Sequence, residues 1–123
     1  MKNKYDTFTT EKTRVSYLSY TTLFELGFNP GSKGTFYLKG LIEYIIVNNL
    51  YDYSYKNILK MFTKDNNYEL DNVRENIRNS LRRVDYFKIQ KNFKKYLDVD
   101  FDYYFLSPTK FINILALKYS NLF

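Results

Sequence analysis

Cysteine, histidine and tryptophan are absent from this 123-residue chain. Without cysteine no disulfide can form, which fits a reducing cytoplasm. Without cysteine or histidine, zinc sites lose their usual ligands, and thiol or imidazole catalysis loses its nucleophile and base. Proline occurs twice and glycine four times, and they build no linker. No internal repeat is present. No apolar run approaches the ~18 residues needed to span a bilayer, and the N-terminus lacks the apolar stretch of a signal peptide. The expectation is one cytoplasmic domain with no cofactor, no metal, no membrane association and no small-molecule substrate.

What is present is apolar, aromatic and basic. Hydrophobic residues make up 45% and aromatics 20%, which argues for a folded globule rather than a disordered chain. The formal net charge is +6 and the pI about 9.3, which favours an anionic partner such as nucleic acid.

Along the chain, residues 1–12 are polar and aperiodic and read as a loose N-terminal tail. Residues 13–123 read as a single helical domain. Thr13–Leu26 carries Val15, Leu18, Leu23, Phe24 and Leu26 and stops at Gly27. Asn29-Pro-Gly31 is a turn, with Ser32-Lys-Gly34 leading out of it. Phe36–Val47 reads as a central buried helix. Tyr51–Tyr55 opens a further helix with Ile58, Leu59 and Phe62 inward, and Ser54 or Asp52 can cap it. Thr63–Glu69 reads as a polar loop with Lys64–Asn67 at its tip. Tyr86–Leu97 reads as a helix with Phe87, Phe93, Tyr96 and Leu97 inward and Lys88, Lys91, Lys94 and Lys95 outward. Asp98–Asp102 alternates polar and apolar and reads as extended. It starts like a calcium loop, but Tyr103 stands where such a loop needs glycine and Thr109 where it needs glutamate. Ser107-Pro108 opens a last helix through Phe111, Ile112, Leu115 and Tyr119. The fold class expected is all-α, a compact bundle of about six helices.

Four of the five arginines fall in Asp71–Arg83. Val73, Ile77, Leu81 and Val84 recur on one face of a helix there. At about 100° per residue, Asn72, Glu75, Arg78, Asn79 and Arg82 gather on the opposite face. Arg74 and Arg83 take the flanks, and Asp71 can cap the start. Arginine and asparagine are the side chains that match guanine and adenine edges in the major groove. This helix and the one before it suggest a helix-turn-helix. Paired carboxylates such as Asp100 and Asp102 lack any accompanying base, nucleophile or phosphate loop, so no enzyme is expected.

Several segments, in order, resemble a known family. They are Leu23-Phe-Glu-Leu-Gly-Phe28, Lys33-Gly34, Tyr37-Leu38, Tyr55-Lys-Asn-Ile-Leu-Lys-Met-Phe62, the set Val73, Ile77 and Arg78, and Pro108-Thr-Lys-Phe-Ile112. Together they resemble the C-terminal DNA-binding effector domain of the master response regulator of bacterial sporulation. The resemblance runs over residues 17–120. It implies a six-helix fold and sequence-specific binding to duplex DNA, with a homodimer on tandem sites as one arrangement. It further implies that Asn72, Glu75, Arg78, Asn79 and Arg82 sit at or near base edges. Arg78 matches by identity and the others by position. Lys33, Lys56, Lys64, Arg74 and Arg83 are the expected phosphate contacts. Two departures stand out: the loop from Thr63 to Leu70 reads as about four residues longer than that family's turn, and the exposed face differs in residue type. With no receiver module in these residues, a stand-alone, phosphorylation-independent transcription regulator is expected. The alternative is a protein–protein interaction module of the same fold that has lost DNA binding and modulates another regulator.

Overall fold

The computed structural model describes residues 19–120. The expected tail at residues 1–12 and the first residues of the first helix lie outside them. Within them the chain is all-helical. The described part of α1 covers residues 19–25. It is followed by α2 (Lys33–Asn48), α3 (Tyr55–Asp65), α4 (Leu70–Arg82), α5 (Tyr86–Leu97), a 3₁₀ turn (Tyr103–Leu106) and α6 (Pro108–Ser120).

Each boundary has a local cause. The side chains of Ser32, Ser54, Asp85 and Ser107 accept backbone N–H bonds at the starts of α2, α3, α5 and α6. At the end of α1, Gly27 sits at φ +99°, with Phe28 N–H donating to Leu23 and Gly27 N–H to Phe24. This is the paired bonding of a left-handed helix stop. The same pattern ends α2 at Asn49 (φ 56°) and α3 at Asn67 (φ 57°), so asparagine takes the position glycine usually holds.

A cap and a stop revise three expected boundaries. The central helix begins at Lys33, because Ser32 is its cap and the Lys33-Gly34 pair belongs to its first turn. Helix α3 runs on to Asp65, so Thr63 is buried within a helix and its hydroxyl donates to the Leu59 carbonyl at 2.8 Å. The connection to α4 is residues 66–69, and the long loop expected there does not exist. Lys64 lies in the last turn of α3 rather than at a loop tip.

Helix α2 packs against α3, α4 and α6 and forms the centre of the bundle. Leu38, Leu41, Ile42 and Ile45 are its buried stripe. They join Leu23, Leu26, Ile58, Val73, Ile77, Leu81, Ile89, Phe93, Phe111 and Leu115 in one core. Two aromatics expected in that core are outside it. Phe36 is 57% exposed and Phe87 is 88% exposed. Each lies two residues before the first large apolar residue of its buried stripe, Leu38 or Ile89, and two residues is about 200° around a helix. Periodicity decides here over side-chain type.

Four tyrosines lie above the ordinary phenol value, Tyr51 through burial. Tyr44 is raised to about 12 by its hydrogen bond to Asp65, with burial and the Asp65 charge adding to it. Burial raises Tyr55 to about 12, partly opposed by the charges of Arg74 and Arg78. Burial also raises Tyr119 to about 12, against a hydrogen bond with Thr22. A phenol whose folded pKa lies above its unfolded value of 10.0 keeps its full contribution below pH 10 and loses it as pH rises towards 12. Denaturant midpoints followed by circular dichroism should therefore fall across that window. Phenolate absorbance of the folded protein should leave these groups untitrated near pH 10. Complete titration of all 14 tyrosines near pH 10 without unfolding would contradict the burial described.

Candidate nucleic-acid interface

Helix α4 is strongly amphipathic. Val73, Ile77, Ser80 and Leu81 face the core, while Asn72, Glu75, Arg78 and Arg82 are exposed. Glu69 stands at the N-cap position without a side-chain cap bond. Asp71, expected as the cap, lies instead in the first turn and pairs with Arg74. Its carboxylate still sits favourably at the positive end of the helix dipole. Arg78 Nη1 lies 3.4 Å from Glu75 Oε2, and both side chains are about half exposed (47% and 54%). Such an exposed pair is weak, so the guanidinium remains available to a stronger acceptor. The Asn76 amide, half-buried, donates to the Asn72 carbonyl at 2.8 Å and to Asn72 Oδ1 at 2.9 Å, which fixes the Asn72 side chain. Asn76 was missed from sequence because it lies between the two faces. Its spacing of four residues from Asn72 is the signal for that bond.

Gly34 sets how close α4 comes to α2. A Cβ at Gly34 would stand 2.2 Å from the Asn76 carbonyl oxygen and 2.6 Å from Ser80 Cβ. The start of α2 therefore lies directly on the backbone of α4. Beside this contact is a cleft of about 270 Å³ that brings Lys33 and Arg83 to one place, with Asn79 and Ser80 in its wall. Asn79 is thus half-buried in the cleft rather than fully outward with Arg78. Arg83 is the C-cap residue of α4, and its N–H donates to the Asn79 carbonyl at 3.1 Å.

At the other side, Arg74 and Arg78 lie close enough to Tyr55, at the start of α3, for their charges to act on its phenol. The Tyr55 hydroxyl is buried and without a hydrogen-bond partner among the described residues. Lys56 follows it in the first turn of α3 and is exposed, as is Lys64 at that helix's far end. Arg74, Arg78, Arg82, Arg83 and Lys33 therefore lie on or against α4, whereas among the described residues no contact ties Lys56 or Lys64 to them.

The carboxylates of Asp98–Asp102 are otherwise engaged. Asp98 pairs with Lys118 at 2.7 Å, Asp100 with Lys94 at 3.4 Å, and Asp102 accepts the Tyr104 N–H at the start of the 3₁₀ turn. Among the described residues no helix is long and apolar enough to cross a membrane. No family model, no curated protein and no solved structure matches the chain.

Proposed function

We propose that the protein is a stand-alone, sequence-specific regulator that binds duplex DNA, with α3, the turn at residues 66–69 and α4 acting as a helix-turn-helix. The observation that carries this reading is α4 itself. Its apolar face is buried, and its outward face offers Asn72, Glu75, Arg78 and Arg82 to solvent. A four-residue turn before it is the length such motifs use. In this reading Arg78 and Arg82 address guanine edges and Asn72 an adenine edge, with Glu75 set to accept from cytosine. Asn79 serves from the cleft, as a neighbour of the backbone-binding Lys33 and Arg83. Lys56, Lys64 and Arg74 complete the phosphate contacts, which fix register and carry no sequence information. The resemblance to the sporulation effector domain supports the same assignment and extends it to tandem sites bound by a homodimer.

One observation favours a second reading, an interaction module that modulates another regulator. Phe87 stands 88% exposed at the start of α5, beside half-exposed Tyr86. Salt dependence separates the two readings. Five phosphate contacts predict a log–log slope of roughly −4 to −5 for binding to duplex DNA. Arg74→Ala should weaken binding to all sequences alike and flatten the slope by about one. Absence of any salt-dependent binding to duplex DNA would favour the interaction module.

A further inference from the structure

Between α2 and the end of α3 lies a second cleft, of about 240 Å³. Phe36, Tyr44, Phe62 and Tyr68 line it, and Tyr37, outside the lining, links Phe36 to Tyr68 in a chain of edge-to-face rings. Phe36 meets Tyr37 at 5.8 Å, Tyr37 meets Tyr68 at 5.3 Å, Tyr68 meets Phe62 at 5.8 Å, and Phe62 meets Tyr44 at 5.6 Å. Gly40 keeps the floor open, since a Cβ there would come within 3.1 Å of Phe62 Cζ. Glu43 also lines the cleft. Its Oε1 is fully buried and accepts no hydrogen bond among the described residues, with the Lys39 ammonium 3.2 Å away as an ion partner. The Tyr44 hydroxyl donates to Asp65.

We propose that this cleft binds a small organic cation, an amine or quaternary ammonium group. Aromatic faces attract such cations through their ring quadrupoles, and a desolvated carboxylate adds the opposite charge. Glu43 is the one carboxylate and Lys39 the one ammonium among the lining residues, and Asp65 stands one hydrogen bond beyond Tyr44. Among the described residues Lys39 is held by an i,i+4 pair, and its flexible stem can swing to water as a better-fitting cation enters. A quaternary head is larger and less hydrated than an ammonium and can meet several rings at once. Asn66 and Tyr68, of the turn that leads into α4, also line the cleft. A bound cation would therefore touch that turn. The binding claim is independent of the DNA reading, because it is measured on the protein alone.

Choline is the probe, and its neutral isostere 3,3-dimethylbutan-1-ol is the control. Amide and aromatic NMR shifts of the full chain are followed during titration at constant ionic strength. Saturable shifts confined to Gly40, Glu43, Tyr44, Phe62, Asn66 and Tyr68 are expected, with choline bound roughly tenfold more tightly than the alcohol. Phe36→Ala changes an exposed ring and should leave the fold intact while weakening choline several-fold. Glu43→Gln should bring choline and the alcohol to equal affinity. Equal binding of choline and the alcohol by the unaltered protein would overturn the proposal, as would the absence of saturable shifts at this cleft.

Discussion

Arg78→Ala is expected to lower specific DNA affinity by roughly ten- to a hundredfold, the range of a lost bidentate guanine contact. Arg78 follows the buried Ile77, so the core stripe fixes the helix rotation that turns its guanidinium outward. It sits in the middle turn of α4, where an inserted helix comes nearest the bases. In the free protein its only ion partner among the described residues is Glu75, at 3.4 Å across a half-exposed pair. That pair is worth about 0.3–0.5 kcal/mol, so thermal stability should barely move on substitution. Non-specific affinity should change little beyond the loss of one cation. The preference at one base pair should relax. Arg78→Lys should not restore it, because an ammonium cannot reproduce a planar fork. Competition binding against specific and scrambled duplexes, paired with a thermal melt, measures all of these. A variant that melts the domain would make Arg78 structural.

Gly34→Ala carries the largest expected effect on stability. The added methyl would lie 2.2 Å from the Asn76 carbonyl oxygen and 2.9 Å from Ser80 Oγ. A serine hydroxyl can rotate, but a helix carbonyl cannot move without α4. Overpacking of this kind costs about 1–3 kcal/mol and more where backbone must shift. The gain in helix propensity, under 1 kcal/mol, does not offset it. A fall in Tm of roughly 10 °C is expected for a domain of this size. DNA affinity should fall with it even at temperatures where the variant is folded, because α4 is displaced. Gly31→Ala is the control. Its nearest neighbour would be Asn29 Oδ1 at an ordinary 3.5 Å, so it should melt within a degree or two of the unaltered protein. Equal Tm values for the two variants would show that α2 does not rest on α4 as described.

Much of this was legible in the sequence where a 3.6-residue period and a cap agreed. The stripe Val73, Ile77 and Leu81 placed α4 and its exposed face, and Ser107-Pro108 placed the start of α6. What went unread has physical reasons. Asn67 in the left-handed conformation ends α3 two residues past Asp65, a stop that looks like ordinary loop polarity in sequence. Ser32 looks like part of a turn until its side chain is seen to accept the Thr35 N–H. Phe36 and Phe87 invite burial by type, but lie off their stripes. The partial burial of Asn79 follows from Gly34, because only a residue without a side chain lets α2 come close enough to form the cleft. No helical period encodes that approach. The 3₁₀ turn at Tyr103–Leu106 is held by Asp102 capping Tyr104 and by Phe101 and Phe105 against Phe93. The ring contacts reach back to α5, which no local period encodes.

The most direct test of α4 as the reading element is selection from a randomised duplex library, run in parallel with the unaltered protein and with Arg78→Ala. The account predicts that the unaltered protein recovers one shared motif containing a guanine. The variant, folded to the same Tm, should recover that motif with preference lost at the guanine alone. Recovery of no motif by the folded, unaltered protein would contradict it, and so would an identical motif with undiminished preference from the variant.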